Sequence, residues 1–141
     1  MCSSDLCTAV WYMTWARAAE PEAQDRLAEQ YAKACADGGG LLAPVGRAWQ
    51  ALRREATPPK LHTEVGSHPS PAGSYVAACV LYATMCGGDV GKFPDRLAVR
   101  GDDGKDKVLV ELTAAEGKQL RAAAAAALPT TAQAKKPANA K

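Results

Sequence analysis

Apolar and polar positions change period several times along the first half of the chain. Residues 7–15 (CTAVWYMTW) are β-branched and aromatic with few polar positions, which is typical of a strand buried on both faces. Leu27, Tyr31 and Cys35 then recur every four residues between an acidic Pro-containing segment and a Gly triplet. This spacing predicts an amphipathic helix of about 16 residues.

A second strand and helix are predicted next. Residues 41–46 (LLAPVG) form a short apolar segment, and Val45, Trp49 and Leu52 then have the spacing of one helix face. The order strand, helix, strand, helix favours an α/β fold with a layered parallel sheet over an all-helical bundle.

The second half of the chain carries stronger local signals. Ser70 and Pro71 predict the N-cap and first residue of a helix whose apolar residues cover most of its circumference, so it should be buried on several sides. Residues 96–112 show two alternating stretches around GDDGKD, which predicts a strand pair. Thr113 and Glu116 match a capping box before an Ala-rich helix that should end near residue 128.

Four regions follow from these patterns. Residues 7–90 form the main α/β region, residues 91–128 a C-terminal extension, and residues 129–141 a tail without apolar periodicity that we expect to be disordered. Residues 1–6, MCSSDL, match the translation of the end of a widely used sequencing adapter, so we expect a cloning or assembly scar there. The natural protein would then continue upstream.

Composition and charge exclude several classes of function. The chain has 141 residues, a formal net charge of +2 and 48% hydrophobic residues, as expected for one small domain or part of a larger one. Its cationic excess lies largely in the tail, and no basic stripe with interleaved aromatic residues indicates nucleic-acid binding. No apolar run reaches the roughly 20 residues that a transmembrane helix requires.

The five cysteines suggest neither a metal site nor a disulfide framework. They form no CxxC pair and no Cys/His cluster with the spacing of zinc ligands, so we expect no metal and no cofactor. Cys35, Cys79 and Cys86 occupy positions in helical patterns where a free thiol usually acts as a small buried hydrophobic group.

Two histidines are the main candidates for chemistry. His62 has no neighbours that suggest a site, so a solvated or hydrogen-bonded loop residue is expected. His68 lies two residues before Ser70, in a loop rich in Gly, Ser and Pro that follows two strand–helix units. Ligands of open α/β sheets bind at loops beyond the carboxyl ends of the strands, although one loop histidine is weak evidence by itself.

Three segments together resemble the SGNH/GDSL-type hydrolases, which are serine esterases. They are YMTWAR at residues 12–17, APVGRAW at residues 43–49 and VGSHPSPAG at residues 65–73, and their order and spacing agree with the family over residues 8–90. The resemblance implies a partial three-layer α/β/α, flavodoxin-like parallel sheet, followed here by the C-terminal strand pair and helix. It also implies that the chain is the C-terminal fragment of such an enzyme.

The resemblance implies roles for particular positions. His68 matches the general base of a Ser-His-Asp triad, and Val65 stands at the position of the triad Asp, where its side chain offers no hydrogen-bond acceptor. The adjacent Glu64 is a poor substitute, because a shift of one residue in a tight loop directs a side chain elsewhere. Thr14 and Trp15 end the first strand, where a substrate pocket is expected, although a packing role for Trp15 is an equal alternative.

The nucleophile is expected outside the chain. The family's nucleophilic Ser and its oxyanion-hole Gly and Asn belong to upstream blocks that this sequence lacks. Five serines are candidates by residue type alone: Ser3, Ser4, Ser67, Ser70 and Ser74. The chain by itself should therefore have little or no esterase activity.

We therefore predict part of a hydrolase that acts on a small-molecule or carbohydrate ester, with acylated carbohydrates as one candidate class. A non-catalytic pseudo-esterase or binding module of the same fold is the alternative that Val65 favours. A small helical interaction domain is a third reading, and it predicts a helix at residues 7–15. Oligomeric state and localisation stay open.

Overall fold

A computed structural model describes residues 8–129, which form a mixed α/β fold. The predicted scar at residues 1–6 and almost all of the predicted tail lie outside these residues. The elements in chain order are β1 (Val10–Tyr12), α1 (Ala23–Gly38), β2 (Leu41–Ala43), α2 (Val45–Arg53), α3 (Pro71–Cys86), a 3₁₀ turn (Val90–Lys92), β3 (Arg96–Arg100), β4 (Asp106–Glu111) and α4 (Ala114–Ala127).

The first two strands pair in parallel, which confirms the α/β class. Val10 lies opposite Leu41, and Tyr12 opposite Ala43, with α1 connecting the two strands. A strand at this position also excludes the helix that a helical interaction domain required there. Each sheet within residues 8–129 has two strands, so the larger three-layer sheet stays a prediction.

The strand predicted at residues 7–15 is shorter and less buried than expected. Regular pairing covers Val10–Tyr12, and all three of these residues are half-buried. Hydrogen bonds extend the contact by one residue at each end, from the Leu41 N–H to the Ala9 carbonyl (2.9 Å) and from the Met13 N–H to the Ala43 carbonyl (3.0 Å). The pairing ends there because β2 is itself only three residues long.

Helix α1 has the predicted length, but its buried face is shifted from the predicted one. Leu27, Tyr31 and Cys35 are half-buried, whereas Gln24 and Ala28 are buried. The apolar spacing therefore located the helix correctly and missed a polar residue on its inner face.

The hydrophobic core lies where α2, α3 and α4 pack together. Its largest fully buried side chains come from these three helices and are Val45, Trp49, Leu52, Tyr75, Val76, Cys79, Val80 and Leu120. The close approach of α3 to α2 depends on Gly73, because a Cβ atom there would lie 2.5 Å from the Trp49 ring and 2.3 Å from the Leu61 carbonyl oxygen. Helix α3 contacts both α2 and α4, in agreement with its predicted burial on more than one side.

Helix α3 begins and ends as its sequence predicts. The Ser70 side chain accepts a hydrogen bond from the Gly73 N–H (3.1 Å), with Pro71 in the first turn, and Gly87 ends the helix in the left-handed conformation (φ 64°). The last turn differs from the expectation for buried thiols, because Cys86 is exposed beyond the packed face, and Met85 is exposed as well.

The C-terminal extension has the predicted strand pair and helix, and it packs on α3. Strands β3 and β4 are antiparallel, and both hydrogen bonds of the capping box between Thr113 and Glu116 are formed. The Arg121 guanidinium donates to the Tyr75 hydroxyl (2.9 Å) and forms an ion pair with Asp95. These contacts tie α4 to α3 and to the segment before β3.

Candidate active site

The loop at residues 61–70 holds His68 in a defined backbone conformation. The Ser70 N–H donates to the Leu61 carbonyl (2.8 Å), and the Thr63 N–H donates to the His68 carbonyl (2.9 Å), so the two ends of the loop are bound together. A turn at its tip is closed by the Gly66 N–H and the Thr63 carbonyl (2.9 Å), with Gly66 at φ 72°. The loop is therefore hydrogen-bonded along its length despite its polar sequence.

The segment after β1 holds this loop from the other side. The Trp15 indole N–H donates to the Ser67 carbonyl (3.0 Å), and the Ala18 N–H donates to the Gly66 carbonyl (2.8 Å). The Trp15 ring stacks on Trp49, with centroids 4.1 Å apart and planes at 8°. Trp15 therefore connects the His68 loop to the buried core.

The side chains of His68 and Val65 are exposed. His68 is engaged through its backbone carbonyl, and no hydrogen bond to its imidazole is present among residues 8–129. Val65 is 76% exposed. Glu64, the adjacent carboxylate, forms an ion pair with Lys60, which lowers the pKa of Glu64. The one acidic residue of the loop at residues 61–70 is thus paired with Lys60 and not with His68.

Thr14 and Trp15 contact different parts of the molecule. The Thr14 hydroxyl lies 3.4 Å from the Tyr31 hydroxyl of α1, and the Thr14 carbonyl accepts from Gln24 (3.2 Å). Of the residues predicted for the site, Val65 and His68 lie on one loop and Trp15 contacts that loop through Ser67. Thr14 instead contacts α1.

Gln24 is a buried polar residue that the sequence interpretation missed. Its side-chain oxygen accepts from the Ala16 N–H (2.7 Å), and its amide nitrogen donates to the Thr14 carbonyl. Gln24 thus satisfies the backbone just after β1, where the pairing with β2 has ended. The available signal was its position three and four residues before Leu27 and Ala28, on the inner face of α1.

His62 has a structural role: of the two alternatives that the sequence left open, a solvated or a hydrogen-bonded loop residue, the structure shows the hydrogen-bonded one. It is 8% exposed, its Nε2 lies 3.1 Å from the Ala16 carbonyl, and its ring meets Trp49 edge-on at 4.8 Å. Burial lowers the pKa of His62, and the nearby Arg53 acts in the same direction. The imidazole is therefore held in its neutral form.

We expect the stability of the protein to fall on acidification because of His62. As the pH decreases below 6.5, the ordinary pKa of histidine, the unfolded chain gains a proton that the folded state resists. One such group changes the free energy of unfolding by at most about 1.4 kcal/mol per pH unit. His62→Gln should reduce this slope, measured by urea unfolding from pH 7.5 to 5.0.

The matched control for His62 is His68→Gln, which removes an exposed histidine instead of a buried one. An unchanged acid slope in His62→Gln would show that another group causes the loss of stability.

Four hydroxyl and thiol side chains near the loop or in α3 are of a type that can serve as a nucleophile, and none of them is paired with His68 within residues 8–129. Ser70 is the helix cap, and its hydroxyl also donates to the Lys60 carbonyl (2.6 Å). Burial raises the pKa of the Cys79 thiol to about 11, so it stays protonated at neutral pH. Ser67 contributes its carbonyl to Trp15, and Ser74 is exposed on α3. No member of this set is bonded to the His68 ring within residues 8–129.

A cleft of about 360 Å³ lies beside Trp15, between the start of α1 and the end of α2. Trp15 and Trp49 contribute to its lining, together with charged side chains that include Asp25 and Arg53. Asp25 accepts from Gln50 (3.1 Å), and Arg53 donates to a backbone carbonyl after β1 (2.9 Å). Asp25 and Arg53 are thus already engaged by other groups of the protein.

Residues 8–129 contain no group of three or more His, Cys, Asp or Glu side chains arranged to hold a metal ion. No helix in this part of the chain is both long and apolar enough to cross a membrane.

The three segments that resemble the hydrolase family are neighbours in the fold. The first supplies Trp15, the second supplies Trp49 and the third supplies the Ser67 carbonyl, and direct contacts join Trp15 to both of the others. The resemblance itself rests on the sequence of these segments. No family model, no curated protein and no solved structure matches this chain.

Proposed function

We propose that the chain is the C-terminal part of an SGNH/GDSL-type hydrolase that cleaves ester bonds by a Ser-His-Asp mechanism. The observation that carries the proposal is the contact between the Trp15 indole and the His68 loop, at 3.0 Å. It joins two sequence segments that resemble the same family and lie 52 residues apart. The segments converge on a histidine whose imidazole is exposed.

His68 acts as the general base in this proposal. A serine hydroxyl attacks the ester carbonyl as the imidazole takes its proton, and the imidazolium then gives that proton to the leaving alcohol, which leaves an acyl-serine. Water, deprotonated by the same imidazole, then hydrolyses the acyl-serine, and the serine recovers its proton as the acid leaves. An exposed ring on a hydrogen-bonded backbone suits this task, because a second part of the protein can approach it while its position is maintained. The serine and the oxyanion-hole donors come from upstream segments.

Position 65 is the departure from a complete triad. An acid there would orient the imidazole and stabilise its cation, whereas the valine side chain can do neither. Glu64 does not replace it, because its carboxylate is paired with Lys60. We therefore expect the chain by itself to be inactive as an esterase.

The proposal also requires a larger sheet than the one present. Within residues 8–129, β1 and β2 pair only with each other, and in the proposed enzyme a free edge of this pair receives the upstream strands of a three-layer α/β/α fold. Acylated carbohydrates are the candidate substrates within this proposal.

A non-catalytic relative of the same fold is the second candidate. The specific observation in its favour is Val65, which removes the acid while the loop around it keeps its hydrogen bonds. Such a protein would bind an ester or a sugar without cleaving it.

The genomic reading frame upstream of Met1 tests both candidates. The hydrolase requires a longer frame in which a predicted strand is followed by the motif Gly-Asp-Ser or Gly-Asn-Ser. A frame that begins at Met1 would overturn the proposal that the chain is a fragment. A longer frame without the serine block would favour the non-catalytic relative.

A further inference from the structure

We propose that Trp15 is a positioning residue, which sets the orientation of the His68 backbone through its indole N–H. This inference rests on the proposed function insofar as His68 is the base. The sequence left substrate binding and packing open for Trp15, and the contacts of its indole indicate a positioning role in addition to packing.

The hydrogen bond from Trp15 reaches the peptide unit directly before His68. The acceptor of the Trp15 N–H is the Ser67 carbonyl, at 3.0 Å. That carbonyl and the His68 N–H belong to one peptide unit, which is planar. Fixing the oxygen therefore fixes the plane from which the His68 backbone continues.

The Trp15 indole is itself held in place by other aromatic rings. Its ring stacks on Trp49 at 4.1 Å and meets the edge of Tyr12 at 6.4 Å. Trp49 is fully buried, so the stack is anchored in the core. Because this donor is fixed to the core, its hydrogen bond fixes the loop relative to the core.

A second hydrogen bond holds the His68 loop from the same side as Trp15. The Ala18 N–H donates to the Gly66 carbonyl (2.8 Å), next to the bond from Trp15 to Ser67. Both bonds attach the loop to the segment after β1, while the side chains of Val65 and His68 are exposed. The indole N–H is already used in this attachment, so it is not available to donate to a substrate.

Hydrogen exchange measured by NMR on the whole chain tests the role, with a matched pair of variants. Trp15→Phe retains an aromatic ring for the stack and removes the N–H. Trp11→Phe removes another indole N–H, which donates to the Gly39 carbonyl (2.8 Å) away from the loop. The reporters are the amides of Thr63 and Gly66 in the loop and of Leu41 in β2.

We expect Trp15→Phe to speed exchange of the Thr63 and Gly66 amides about tenfold, the effect of losing one hydrogen bond, without a change at Leu41. Trp11→Phe should leave the loop amides unchanged. Unaltered exchange at Thr63 and Gly66 in Trp15→Phe, or an equal acceleration at Leu41, would overturn the positioning role.

Kinetics on the longer hydrolase, with an acid restored at position 65, separate positioning from substrate contact. Trp15→Phe should lower kcat with little change in KM, because a displaced base slows the chemical step. A raised KM with unchanged kcat would instead make Trp15 a substrate contact. If exchange responds as expected but no ester is cleaved, the loop-holding role stands and the proposed hydrolase function fails.

Discussion

Replacing Val65 by aspartate is expected to raise ester hydrolysis on the order of 10⁴-fold in the longer hydrolase that the proposed function requires. The turn at Thr63–Gly66 and the bond from the Thr63 N–H to the His68 carbonyl keep positions 65 and 68 on one short loop. An aspartate carboxylate at position 65 would then accept a hydrogen bond from the imidazole N–H, orient the ring and stabilise the cation that forms when the imidazole takes the serine proton. The measurement is kcat/KM for a short-chain aryl ester.

Two controls make the Val65→Asp result specific. Val65→Asn has nearly the same shape as aspartate and no charge, so it should recover much less activity. Adding His68→Ala to Val65→Asp should remove the gain. No increase in Val65→Asp, or a gain that survives without His68, would remove this pair of positions from the mechanism.

Replacing Trp49 by alanine is expected to lower the free energy of unfolding by about 3–5 kcal/mol. Trp49 is 1% exposed, stacks on Trp15 and contacts His62 edge-on. Its loss would open a cavity in the middle of the helical core and remove the support of the Trp15 stack. Since small domains have a total stability of about 5–15 kcal/mol, the variant should be partly or largely unfolded at 37 °C.

Urea unfolding followed by far-UV circular dichroism measures the cost of the Trp49 substitution. Trp49→Phe is the matched comparison, because it retains an aromatic ring. It also removes an indole N–H that is buried without a partner among residues 8–129. Phenylalanine should therefore cost much less than alanine. Equal costs for the two variants, or a cost below about 1 kcal/mol for alanine, would contradict a central packing role.

The helix boundaries were the most predictable part of the fold. Ser70 and Pro71 were recognised as the start of α3 because a cap acts between residues three positions apart, and the observed bond from the Gly73 N–H to Ser70 has this separation. The capping box of Thr113 and Glu116 was predictable for the same reason. Strand length was harder to predict, because β1 ends where its partner β2 ends and not where its own apolar residues end.

The candidate site was only partly predictable. The resemblance to a hydrolase family singled out His68 and Val65, and the structure leaves both side chains exposed on one loop. The contact of Trp15 with Ser67 spans 52 residues, and no periodicity reports a contact at that separation. Gln24 was missed because a polar residue inside an amphipathic pattern is usually solvated, and only the unpaired backbone after β1 explains its burial.

The amino-acid sequence by itself determined the elements whose signals are local: the starts of α3 and α4, the strand pair around GDDGKD and the order of strands and helices. Caps, turns and periodic apolar faces depend on residues that are close in the sequence, so the local sequence is enough to predict them. Only the tertiary structure decided that His62 is buried, that Glu64 pairs with Lys60 and that Trp15 holds the His68 loop. Burial and the directions of side chains depend on which distant segments pack together, and the chain must fold before these neighbours exist.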